Sequence, residues 1–216
     1  MKFTKYSRIL CGLSIFLVLS IVSVFFQSPV FAAGPYEITA AYPNLGTTYA
    51  YTFQLNGNAS VQGGDHIRLT QDAGTLWGSA FRLNKISMPS NFAFNTFFTF
   101  KMISTGSSER ADGIVFVIQG TTNTAGGTGQ DLGFTGINPG FGIEFDTYQN
   151  TVYGDPDNNH VAIITNGSAD HTQAGNPTPV SINPSVVNLA DTTGTLHYCW
   201  IDYDRPSRGY RRYPRR

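Results

Sequence analysis

The sequence predicts an all-β sandwich, on three observations. Short runs place apolar residues at every second position, as in Tyr49, Tyr51 and Phe53, and again in Ile143 and Phe145; this is the two-residue period of a strand. Phe92, Phe94, Phe98 and Phe100 recur at even spacing in NFAFNTFFTFKM, the pattern of a strand with an aromatic core face. Glycine- and asparagine-rich turns such as LNGN and QGGD separate the runs. At 216 residues the chain is long enough for one large domain of this class.

Taken in order, residues 1–32 carry Lys2, Lys5 and Arg8 ahead of an apolar run from Ile9 to Phe26, with Val30 and Ala32 at the small-residue positions of a cleavage site. This is the pattern of a signal peptide, and it predicts an exported protein, secreted or held in the cell envelope, with no stable membrane span after cleavage. Cys11 lies too early in the run for a lipidation site. Removal of residues 1–32 would leave Cys199 as the sole cysteine. No internal disulfide is then possible, and Cys199, inside the apolar run HYCWI, reads as a buried thiol.

A first strand is expected through Tyr49, Tyr51 and Phe53, ending in the LNGN turn. Ala59 and Val61, then Ile67 and Leu69, predict two strands joined by the turn in QGGD. The phenylalanine stripe follows as a core strand. GIVFVIQ, behind Asp112 and Gly113, reads as a strand buried on both faces. Residues 120–131, GTTNTAGGTGQD, form a glycine and threonine loop without the Lys and Ser of a phosphate-binding loop.

Residues 144–160, EFDTYQNTVYGDPDNNH, are the chemical centre of the chain. The period of two sends Glu144 and Asp146 to one face while Ile143 and Phe145 take the other. Gly154, Asp155 and Pro156 read as a turn that folds a third carboxylate back, and a second strand is expected from His160 through HVAIIT. Carboxylates brought together this way repel by roughly 1 to 4 kcal/mol per close pair, which a cation would remove. Carboxylate and amide oxygens suit Ca²⁺, whereas carboxylates with an imidazole suit Mn²⁺ or Zn²⁺. Asp155, Asp157 and Asn159 match the start of an EF-hand, but that motif needs Gly at His160 and Glu at Asn166. After Thr165 a long polar loop is expected, with strand character resuming at VVNLA and TLHYCWIDYD.

The order Glu144, Asp146, Tyr148, Asn150, Asp155, His160 resembles the metal loop of the L-type lectins, the legume lectins and their bacterial relatives. IRLTQDAGTLWGSAFRLNKI resembles the opening of those domains, and LGFTGINPGFGIEFD their path from glycine loop to metal strand. The resemblance implies a jelly-roll sandwich of the concanavalin A-like lectin/glucanase type over residues 33–204. It implies Mn²⁺ on Glu144, Asp146, Asp155 and His160, and Ca²⁺ on Asp146, the Tyr148 carbonyl, Asn150 and Asp155. Asp157 falls outside the pattern and is expected in solvent. Ala111, Asp112 and Gly113 match the motif whose Asp accepts sugar hydroxyls after a cis peptide. Gly129 would then give a backbone N–H to the sugar, Tyr148 an aromatic face and Asn150 a polar contact.

The implied function is Ca²⁺-dependent, non-catalytic binding of glycans. All 14 acidic residues lie between Glu37 and Asp204, while nine of the 14 basic ones lie in residues 2–8 and 205–216. The body is therefore acidic, which argues against nucleic acid. The related glucanase sandwich carries Glu, x, Asp, x, x, Glu, and here Gln149 stands at the last position, unable to supply the proton of a two-carboxylate hydrolase. Residues 205–216, RPSRGYRRYPRR, cannot form a core strand. They read as an Arg-rich tail where the family continues with further strands, so a truncated, incomplete sandwich is expected, and with it the possibility of a product without function of its own.

Overall fold

The phenylalanine stripe of residues 92–100 is the inner wall of one layer of a sandwich. The structure, a computed structural model, describes residues 52–88, 92–105 and 110–203. The expectations for the signal segment 1–32, for Cys11, for Tyr49 and Tyr51, and for the tail 205–216 lie outside the described residues. Within them the chain forms β1 (Phe53–Gly57), β2 (Ser60–Gln62), β3 (His66–Arg68), β4 (Gly78–Arg82), β5 (Phe94–Phe100) and β6 (Met102–Ile103). It continues with β7 (Gly113–Gln119), β8 (Gly140–Asp146), β9 (His160–Thr165), β10 (Val180–Ser181), β11 (Ala190–Asp191) and β12 (His197–Tyr203). The helical element among the described residues is one 3-10 turn, Thr151–Tyr153. No helix there is long and apolar enough to cross a membrane.

The central sheet runs β10-β9-β8-β7, all antiparallel. Facing it, β5 and β12 pair antiparallel along their full length, from His197 opposite Phe100 to Tyr203 opposite Phe94. Between the two layers lie Phe98, Phe100, Cys199 and Ile201 from one side and Ile143 and Phe145 from the other, with Leu189 filling in from a loop. The Phe100 and Phe145 rings are 4.8 Å apart, and Phe98 stacks on Phe116 at 5.2 Å. In β12 the alternation is strict: His197, Cys199 and Ile201 are buried while Tyr198 and Trp200 are exposed. The thiol of Cys199 is thus a small core side chain, as expected.

Phe92 and Phe94 stack on Tyr203 at 5.1 and 5.3 Å, and Phe94 packs against the same core cluster, as the stripe predicts. Three expectations need correction. The strand β7 is only half-buried along Ile114–Gln119, because it is paired with β8 alone among the described residues and leaves an edge. The strand β1 continues through Leu55, Asn56 and Gly57, so the turn in LNGN starts later than its composition suggests. Finally, VVNLA is mostly not a strand. Buried Asn159 donates through Nδ2 to the carbonyls of Ile182 and Val187 and accepts the Leu189 N–H on Oδ1. That side chain replaces a strand partner and holds the segment as a turn.

Phe100→Ala, which empties a site only 2% exposed, is expected to lower the unfolding free energy by about 3 to 5 kcal/mol in urea titration. A loss below about 1 kcal/mol would mean that the two layers do not meet at this ring.

Candidate functional site

The pleat that sends Ile143 and Phe145 into the sandwich sends Glu144 and Asp146 to the other face of β8. The sequence predicts a half-buried strand there, yet Glu144 is 0% and Asp146 3% exposed. Loops cover the second face. The loop after β8 turns back through Thr151–Tyr153, and Gly154, at φ 83°, closes that turn by donating to the Thr151 carbonyl. Two carboxylates are anchored by loop amides: the Tyr148 N–H donates to Asp146 Oδ1 and the Asn150 N–H to Asp155 Oδ2, both at 2.6 Å. Gln149 Nε2 donates to the carbonyls of Asp155 and Pro156, so it braces the turn.

His160 opens β9 directly opposite Asp146. Its Nδ1 lies 2.8 Å from the Asp157 carbonyl, which places a ring proton on Nδ1 and turns Nε2 to the carboxylates. Nε2 is 3.4 Å from Glu144 Oε1 and 3.7 Å from Asp155 Oδ1. Asp157 itself is half-buried and its carboxylate accepts the Asn159 N–H, so it is less solvated than expected. A residue that sequence reasoning passes over completes the cluster. His171, in the polar loop after β9, has its Nε2 2.7 Å from Glu144 Oε1 and 3.7 Å from Asp155 Oδ1, with a side chain 3% exposed. Two groups of possible metal ligands result, Glu144 with His160 and His171, and Asp146 with Asp155 and His160. They share one imidazole.

The electrostatics are those of carboxylates and imidazoles crowded together under cover. Burial pushes the Asp146 carboxyl up to about 8, against the pull of the Tyr148 N–H. Burial likewise raises Asp155. Burial would also raise Glu144, but the neighbouring imidazoles outweigh it and hold that carboxyl below its ordinary range. The same pairing lifts His160 even though burial opposes its charged form. Both carboxylate oxygens of Glu144, Asn150 Oδ1, His160 Nε2 and both ring nitrogens of His171 are buried without a hydrogen-bond partner. Leaving such atoms unpaired costs about 1 to 3 kcal/mol each. Oxygen donors at Asp146, Asn150 and Asp155 fit a hard cation, and the imidazole and carboxylates at Glu144, Asp155 and His160 fit a transition ion.

Asp112 stands at the entry of β7, where Gly113 pairs with Asp146. The Ala111–Asp112 peptide is cis, as expected from the motif. Only glycine fits the next position: Gly113 has φ 150°, and a Cβ there would lie 2.3 Å from the Phe145 carbonyl oxygen. The Asp112 carbonyl accepts both the backbone N–H and the hydroxyl of Thr147, tying it to the strand end that carries Asp146. Its carboxyl is raised by burial and partly held down by the Gly129 N–H. The structure therefore brings Asp112 and Gly129 together, beside the loop bearing Tyr148 and Asn150, whose side chains are half-buried. Gly129 adopts φ 92° with open space on its Cβ side.

The chain can be set against known proteins on this geometry. A family model for the legume lectin β-barrel domain matches residues 46–209. The L-type lectin-domain containing receptor kinase IV.2 of Arabidopsis thaliana is 30% identical over 168 residues, covering 71% of this chain and 24% of that protein. The L-type lectin-domain containing receptor kinase S.1 of the same plant is 30% identical over 122 residues, or 53% of this chain and 19% of that one. The chain thus spans about a quarter or less of the length of these curated relatives. Among solved structures, a peanut lectin determined with a 9mer peptide is similar at 27% identity and a TM-score of 0.47, over 61% of this chain and 60% of that one. On the extent of the family match, this chain belongs to the L-type, or legume, lectin domain family.

Proposed function

We propose that this protein is a Ca²⁺-dependent, non-catalytic lectin whose glycan site is formed by Asp112, Gly129, Tyr148 and Asn150. The observation that carries this reading is the buried set of unpartnered donors beside the Asp112 turn: Glu144, Asn150 and His160, together with Asp146 and Asp155. Asp146, the Tyr148 carbonyl, Asn150 and Asp155 would hold Ca²⁺, and Glu144, Asp146, Asp155 and His160 a transition ion, Mn²⁺ in the family pattern. Bound cations supply the positive charge that lets these carboxylates stay ionised while buried. The chain's own residues do the rest. The Asp112 carboxylate accepts from sugar hydroxyls, the Gly129 N–H and Asn150 amide donate, and the Tyr148 ring offers a face to the sugar's C–H side. Because the Asp112 carbonyl is tied to Thr147, next to Asp146, the shape of the sugar site depends on that of the metal loop.

A hydrolase would need a second acid in the loop. Gln149 occupies that place as a brace on two carbonyls. We place the protein outside the cytoplasm, secreted or in the envelope, on the charged, apolar and small-residue order of residues 1–32.

Asp112→Asn should weaken glycan binding by about 100-fold, the loss of charge-assisted hydrogen bonds, and leave Ca²⁺ affinity unchanged. Asp146→Ala should abolish both. A glycan array read alongside calcium titration checks this, and equal loss of both ligands in the two variants contradicts the division of roles.

The raised Asp146 carboxyl gives a pH dependence. Without metal, the folded chain holds a proton that the unfolded chain releases between its ordinary value of 3.8 and about 8. That contribution to metal-free stability is full below the ordinary carboxylate range and lost as pH rises through about 8. A cation must displace the proton, so apparent Ca²⁺ affinity should climb by about tenfold per pH unit from pH 6 to 8 and then level off. An affinity flat over that range contradicts the assignment of Asp146.

A further inference from the structure

His171 does something in this cluster that the loop motif does not require. We infer that it is a direct ligand of the transition-metal position, giving that ion a second imidazole and moving its preference from Mn²⁺ towards Zn²⁺. The inference rests on the reading of Glu144, Asp146, Asp155 and His160 as that ion's other ligands.

The geometry is that of two rings sharing one point. Nε2 of His160 and Nε2 of His171 face the same two carboxylate oxygens, Glu144 Oε1 at 3.4 and 2.7 Å and Asp155 Oδ1 at 3.7 and 3.7 Å. The ring centroids are 6.0 Å apart with planes at 78°. The nearest ligand atoms of Glu144, His160 and His171 all lie within 4.8 Å of one another. With five protein ligands the ion would be five-coordinate, and atoms bonded to one Zn²⁺ at about 2.0 to 2.1 Å in that arrangement sit about 2.9 Å or more apart, so the rings and carboxylates need to shift only slightly. His171 Nε2 pairs with Glu144 Oε1 at 2.7 Å, while Nδ1 of His171 is buried with no hydrogen-bond partner. The side chain is nonetheless 3% exposed. An imidazole buried in this way, with its nitrogen turned to a common centre, is placed for coordination.

The loop is built to hold it there. The His171 N–H donates to the carbonyl of Tyr153, inside the metal loop. Asn176 Nδ2 donates to the carbonyls of Ser168 and Asp170, and the Ala169 N–H donates to Asp131 Oδ1. Ala169 itself is buried in the smaller core cluster. Every residue from 168 to 171 is therefore tied down. A second nitrogen donor matters chemically because Mn²⁺ favours an oxygen-rich shell, whereas imidazole suits Zn²⁺, and the intrinsic order of divalent affinities points the same way.

The test uses the full chain, stripped of metal and then loaded with excess Ca²⁺ and either Zn²⁺ or Mn²⁺. X-ray absorption of the Zn²⁺ form counts imidazoles, and competition titration gives both affinities. Two imidazoles are expected in the native chain and one in His171→Gln. That variant should lose about 100-fold in Zn²⁺ affinity and less than about tenfold in Mn²⁺ affinity, with Ca²⁺ binding kept. A single imidazole in the native Zn²⁺ form overturns the inference and leaves the transition-metal reading standing. Equal loss of Zn²⁺ and Mn²⁺ in the variant also overturns it, because His171 would then act only by positioning Glu144. If neither ion binds the native chain, both readings are overturned, and if Mn²⁺ binds more tightly than Zn²⁺, the inference about His171 is overturned. If His171→Gln does not fold, the imidazole count of the native chain decides alone.

Discussion

Phe145 and Asp146 are neighbours on one strand, and the pleat of β8 sends one into an aromatic core and the other into a cluster of charge. Most of the structure answers to that pairing. The core side requires the β5–β12 ribbon, whose Phe98 and Phe100 meet Phe145. The charged side requires a lid, because a carboxylate as buried as Asp146 can stay ionised only opposite positive charge. Neither face can be changed alone. A one-residue slip of β8 would put phenylalanine against histidine and carboxylate against the sandwich.

Three loop segments around β8 are fastened by backbone-directed hydrogen bonds, to which Leu189 and Ala169 add apolar anchors in the two core clusters. The first, residues 147–159, is pinned at both carboxylates by its own amides. The second, residues 182–189, hangs from the side chain of Asn159. The third carries His171 and is clamped by Asn176. Asp112 joins them through Thr147. A binding surface on such loops takes its rigidity from what lies beneath it.

Much of this was legible in the sequence because it is local. The alternation through Ile143, Glu144, Phe145 and Asp146 fixes the faces of β8, and the spacing from Glu144 to His160 fixes which donors its loop can return. The Ala111–Asp112–Gly113 motif and its cis peptide follow the family pattern as well. What the sequence hid is non-local. His171 carries no motif, and its value arises only when Tyr153 and Asn176 bend its loop over β8. Asn159 reads as one more polar loop residue, although it replaces a strand partner for VVNLA. The half-exposure of β7 depends on where the neighbouring layer ends, which periodicity does not encode.

The account turns on whether the buried cluster is a metal centre on which the fold relies. Thermal unfolding of the full chain, recorded in EDTA and then with Ca²⁺ plus a transition ion, asks this directly. Occupancy at 100 times the dissociation constant stabilises a folded domain by about 2.7 kcal/mol per site, so a cooperative transition that moves up by several degrees with metal is predicted. An identical transition in both conditions would show that the unpartnered donors of Glu144, Asn150, His160 and His171 hold no ion, and would contradict the account.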